Sequence, residues 1–274
     1  MFKKFKGMIG EKKYYEYLIL VVFVLFFYLP LMNLFMLAFA NKYEVPAVIP
    51  QEFGFKWWKF VLGQSSLLSA VGMSFFLAIV VTIVSALICI PAAYALARFN
   101  FKGKKVFLLS FLLSNAYPRM GLYISIAILF YKLNLMGTFL GVVIIHVVNS
   151  MMFMTWIPSG SFRAVYKQQE ESARDVGAGP IKTFFKITLP MAMPGIVVGS
   201  VFTFLGSLEE AQGTLLIGFP EIQTIPVALY GIIMEYPLTA GPVLSLILII
   251  PTVLILFLVR KYMNANTMSK GFGM

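Results

Sequence analysis

The sequence predicts an all-α integral membrane protein with six transmembrane helices and both termini on the cytoplasmic side. Composition is the first reason: 60% of the 274 residues are hydrophobic, 12% are charged, and the mean hydropathy is +0.88, which leaves too little polar surface for a soluble domain. The second is the length of the apolar runs. A hydrocarbon core of about 30 Å needs roughly 20 apolar residues, and six runs of that order occur, at 15–40, 66–97, 106–131, 138–160, 191–213 and 239–262. The third is charge placement. Lys3, Lys4, Lys6, Lys12 and Lys13 precede the first run, and Arg98, Lys102, Lys104 and Lys105 separate the second from the third. Arg163, Lys167, Arg174, Lys182 and Lys186 lie between the fourth and fifth, and Arg260, Lys261 and Lys270 follow the sixth. Alternating spans put all of these on one side, which the positive-inside rule makes cytoplasmic. Topology thus accounts for the net charge of +11 without a nucleic-acid partner.

The chain divides into a basic N-terminus (1–14), a transmembrane domain (15–262) with a cytoplasmic loop at 161–190, and a tail (263–274). The first run is too long for a cleavable signal peptide and lacks a small-residue cleavage site, so it stays as the first span. Segment 41–65, with its prolines, charges and Trp57-Trp58, belongs outside, where such aromatics anchor to the water–lipid boundary. The second run contains the lone Cys89 and ends in Pro91-Ala92-Ala93-Tyr94-Ala95-Leu96-Ala97-Arg98, small residues that let helices approach closely. In the third run Pro118 and Gly121 can open the helix around Arg119. A charge inside a span costs about 2.5–3.5 kcal/mol. Arg119, with Asn115 and Tyr117 beside it, therefore either faces a translocation cavity or pairs with a carboxylate or carbonyl on a neighbouring helix. His146 in the fourth run reads as a packed or hydrogen-bonded residue. Glu209 and Glu210 close the fifth run, where they either line a cavity and attract a cationic solute or are solvated at the outer surface.

The charged interruption at 168–194, QQEESARDVGAGPIKTFFKITLPMAMP, carries the sharpest signal. Glu170 and Glu171 suit the start of a short helix, with Ala173 and Val176 sharing a face, and Gly177 terminates it by tolerating positive φ. Pro180 fits the first position of a second helix, where its missing N–H costs nothing. Ile181, Phe184 and Phe185 fall on one side of that helix, and Pro190 ends it. The residues alone describe either a compact knob for a partner or an amphipathic interfacial loop.

The ordered spacing resembles the coupling loop of permeases of binding-protein-dependent type I ABC importers. Glu171, Ser172 and Ala173, the pair Gly177-Ala178, Phe184, and the ending Ile187, Leu189, Pro190 match it, and Glu170, Asp175 and Pro180 lie within it. The Pro91–Arg98 stretch resembles the same family. That resemblance implies a six-helix permease fold whose loop seats in an ATPase subunit. It implies two ATPase subunits that bind ATP and Mg, a second and different permease chain, and a solute-binding protein outside the bacterial or archaeal cytoplasmic membrane. Val176 stands where the sugar permeases more often have Asp, which favours the polyamine, iron and phosphonate group. LNLMGTFLGVVIIH resembles sugar permeases instead, so a small charged solute is the reading and a carbohydrate its alternative.

The chain has no Walker A pattern, so ATP hydrolysis is expected from another subunit. It has no HExxH, no GxSxG, no catalytic carboxylate pair and no internal repeat, so neither catalysis nor a resident cofactor or metal is expected of it. One cysteine and scattered methionines suggest no soft-metal site. A reading from another class is a membrane scaffold or receptor whose loop recruits a partner that is not an ATPase.

Overall fold

The computed structural model describes the backbone of residues 11–260, and their side chains except at 11, 12, 14 and 112–115. Expectations resting on the basic N-terminus, on the 263–274 tail, on Lys261 and Lys270, or on the side chains of Lys12 and Asn115 lie outside the described residues. The described residues form two compact units, 11–64 with 232–246 and 65–231 with 247–260.

In the first unit, α1 (Glu11–Ala38) is apolar on every side, and its most apolar window buries no residue inside the protein. That is the state of a helix whose solvent is lipid. A small antiparallel ladder follows, β1 (Ala40–Lys42) against β2 (Glu52–Phe53), a departure from the all-α expectation confined to this spot. Asn41 ties it to α2 (Lys56–Gly63). Its Oδ1 accepts the Lys56 N–H at 3.0 Å, and its carbonyl accepts the Trp57 Nε1–H at 3.3 Å. Trp57 is buried and Trp58 stacks on Phe39 at 5.7 Å, so the two tryptophans are parts of a folded element.

The second unit is built on α3 (Ser65–Arg98), α4 (Lys104–Ala116), α5 (Arg119–Lys132) and α6 (Phe139–Ala164). It continues with α7 (Lys167–Asp175), α8 (Pro180–Thr183), a π-helical stretch (Phe184–Thr188), α9 (Leu189–Glu209) and α10 (Gln212–Ile217). Two last helices, α11 (Ile225–Glu235) and α12 (Ala240–Val259), each pass from one unit to the other along their length. Helix α6 packs along both α3 and α9. Small residues make this possible: a β-carbon on Gly195 would overlap the Ser161 hydroxyl, and one on Gly199 would crowd Pro158. Ser85 and Ser150 bridge α3 and α6 through their hydroxyls at 3.1 Å. Leu77, Val81, Tyr123, Val142, Ile145 and Ile217 form the larger apolar core around α6.

Three details differ from expectation. Five described helices are long and apolar enough to span a membrane, and the remaining expected span is divided. The run at 106–131 is two helices of 13 and 14 residues, parted at Tyr117-Pro118. Pro118 lacks an N–H and disfavours helical backbone at the residue before it; with ψ 118 it caps α5 instead of continuing α4. Nor does Pro190 end a helix. The chain is helical without interruption from Pro180 to Glu209, and Pro190 stands in the first turn of α9. The π stretch makes room for it: the Leu189 N–H reaches back to the Phe184 carbonyl, a wider turn that absorbs the missing donor. The fifth apolar run also stops at Glu209, short of 213, because Glu210 turns extended at ψ 111.

Candidate functional site

The chemistry of the second unit concentrates at the two ends of the Pro180–Glu209 helix. At the first end, α7 begins at Lys167, three residues before the expected start, and closes at Gly177, whose φ is +86°. The Gly177 N–H donates to the Arg174 carbonyl at 2.8 Å, and the Ala178 N–H to that of Ala173 at 3.0 Å. This paired closure needs a left-handed residue, which is why glycine stands there. Pro180 opens α8 as expected.

What fixes this knob to the bundle is Glu170, buried at 7% exposure. Its Oε1 accepts from Arg98 Nη2 at 2.8 Å and from the Thr188 hydroxyl at 2.7 Å, while Arg98 Nη2 also donates to the Val165 carbonyl at 3.0 Å. One carboxylate thereby joins the end of α3, the link from α6, the knob and the π stretch. Glu171, which carries the family spacing, is exposed with Asp175 and Pro180, and Ser172 bonds back to the Gln168 carbonyl. Ala173, Ala178 and Leu189 are half-buried, and Pro190 is exposed. The expected shared face of Ile181, Phe184 and Phe185 is split. Phe184 packs on Tyr94 at 4.9 Å and on Phe162 at 6.2 Å. Ile181 and Phe185 stay 73% and 61% exposed, as do Tyr166 and Val176 at 72% and 86%. Beside them lies a groove of about 630 Å³ lined by Arg98, Lys167, Glu170, Arg174 and Phe185. The knob thus carries open apolar side chains on a base tied to the bundle.

At the other end, adjacent glutamates go separate ways. Glu210 is buried at 3% exposure. Its Oε2 accepts from the Tyr123 hydroxyl at 2.8 Å and the Asn149 amide at 3.0 Å, and its Oε1 from the Gly213 N–H at 2.8 Å. It thus starts α10 and ties it to α5 and α6. Arg119 approaches Glu210 at 3.8 Å with its side chain 54% exposed, and it also lines a cavity. That cavity, of about 300 Å³, is walled by Arg119, Asn149, Phe153, Phe202 and the exposed Glu209. Tyr117 is exposed at the α4–α5 break. His146 is buried, its Nδ1 2.8 Å from the Ser207 hydroxyl and its Nε2 2.7 Å from that of Thr214, the hydrogen-bonded role expected of it. Sequence reasoning missed Thr188, Tyr123 and Asn149; only Arg98, at the end of the small-residue stretch, carried a signal of its own.

With this geometry in view, comparison with known proteins is informative. The family described as "Binding-protein-dependent transport system inner membrane component" matches residues 86–267. The galactooligosaccharides transport system permease protein GanQ of Bacillus subtilis is 27% identical over 66% of this chain and 65% of its own length. The putrescine transport system permease protein PotI of Escherichia coli is 28% identical over 78% of each chain. A solved bacterial ABC transporter involved in import of the acidic polysaccharide alginate aligns with a TM-score of 0.73 at 18% identity, covering 92% of this chain and 96% of that one. The last is a likeness of fold.

Proposed function

This chain belongs to the family of binding-protein-dependent transport system inner membrane components, the permeases of ABC importers, and we propose from that premise how it works. It is one of two different permease chains in the cytoplasmic membrane of a bacterium or archaeon, with both termini in the cytosol and α4 with α5 making a broken sixth crossing. Two partner ATPases bind ATP and Mg. A solute-binding protein delivers a small polar solute on the outer side, where segment 41–65 receives it.

The observation that carries this reading is the Arg98–Glu170–Thr188 junction. It makes the knob one body with α3 and α9, while Tyr166, Val176, Ile181 and Phe185 remain open to a partner. Closing of the ATPases would move the knob, and the knob would move the spans, alternating access to the cavity beside Arg119. The solute is small and charged in this reading. PotI, a putrescine permease, supports that class, and GanQ, a galactooligosaccharide permease, supports the carbohydrate alternative.

Purification of the chain with its native partners tests the proposal. An ATPase should co-purify, and charges placed on the open face by Val176→Asp with Ile181→Asp should release it while the permease still inserts. An ATPase retained by the double variant would sink the knob as the contact, and a partner without nucleotide dependence would favour the scaffold reading.

A further inference from the structure

We infer, resting on the permease reading, that the solute passing between α5, α6 and α9 carries an anionic and a cationic group on one molecule. The wall presents two charges of opposite sign. Arg119 is half-exposed and Glu209 is exposed, both line the same cavity, and among the described residues no ion pair joins them. Glu210 faces the Arg119 guanidinium from behind the wall at 3.8 Å, but it is 2% exposed and its oxygens accept from Tyr123, Asn149 and the Gly213 N–H, so it offers a solute no contact of its own. The same cavity is lined by an apolar surface, Phe153 stacked on Phe202 with ring centroids 5.5 Å apart and planes at 17°.

Complementarity then selects by exclusion. A dication meets the guanidinium of Arg119, and a dianion meets the carboxylate of Glu209, so each gains one contact and suffers one repulsion. A neutral polyol takes water from both charges without replacing it with charge. A solute with an anionic end for Arg119, a cationic end for Glu209 and a short carbon chain for the two rings satisfies all three features. The volume of about 300 Å³ is at the small end of ligand sites.

Four probes with four-carbon chains isolate charge from size: γ-aminobutyrate, putrescine, succinate and erythritol, titrated against the purified permease–ATPase complex by isothermal calorimetry. The expected result is that γ-aminobutyrate binds at least tenfold more tightly than the other three. Arg119→Gln and Glu209→Gln should each weaken it about tenfold, the loss of one charge-assisted contact. Equal or tighter binding of putrescine, succinate or erythritol overturns the inference, as does a preference insensitive to both Arg119→Gln and Glu209→Gln, or no binding of any probe. The same preparation separates this from the permease reading: a complex that contains an active ATPase yet fails the probe series rejects the inference alone, whereas absence of an ATPase rejects both.

Discussion

Two glutamates, each facing an arginine, occupy opposite ends of the Pro180–Glu209 region, and they differ in which half of the pair the protein hides. At the knob both partners are covered, Arg98 at 8% and Glu170 at 9% side-chain exposure, and they meet at 2.8 Å. At the far end Glu210 is 2% exposed while Arg119 is 54% exposed and 3.8 Å away. A fully covered pair adds little net stability, because desolvation cancels much of the attraction, but losing one member strands the other. A loose pair with one partner in the open is worth little as a bond. It leaves a cation available to something else. The first pair is a joint, and the second is a wall with a free hand.

Four substitutions break or sharpen that contrast. Arg98→Ala should have the largest effect, about 3–5 kcal/mol of destabilisation from an unpaired buried carboxylate, seen as a lowered thermal midpoint and loss of the co-purifying ATPase. Glu210→Ala comes next. It deprives Tyr123, Asn149 and the Gly213 N–H of their acceptor, at about 1–3 kcal/mol, and the same thermal measurement should register it without loss of the ATPase. Gly177→Val forces a β-branched residue to φ +86°, about 1–2 kcal/mol of local strain. Nothing crowds that position, so membrane insertion should persist while solute-stimulated ATP hydrolysis falls; normal stimulation would count against rigid coupling. Arg119→Gln should be the mildest for stability, within about 0.5 kcal/mol, and a large drop in the thermal midpoint would show that Arg119 is a structural partner of Glu210 after all.

Much of this was legible in the sequence, and the exceptions have physical reasons. Length and hydropathy located five spans because burial in lipid demands long apolar runs, and the same criterion mistook 106–131 for one helix because hydropathy is blind to the single donor that Pro118 lacks. Gly177 and Pro180 announced their own backbone roles. The choice between Glu170 and Glu171 was not readable, since adjacent residues on a short helix point about 100° apart and only the path of α3 decides which one meets Arg98. The same holds for Glu209 and Glu210, whose fates depend on where the chain leaves the helix. Thr188, Tyr123 and Asn149 are ordinary residues in apolar surroundings, significant only through partners distant in sequence.

Because the π stretch carries the helix past Pro190, the 30 residues Pro180–Glu209 form one continuous helix about 45 Å along its path. Levers of that length amplify. A tilt of about 10° pivoting at Thr188, which Glu170 holds, would carry the far tip, about 31 Å away, by about 5 Å, and Glu209 sits at that tip. A nucleotide-driven shift at the cytoplasmic end too small to disturb the joint itself would therefore suffice to withdraw one of the two charges from the cavity and leave the solute with half of its attachment.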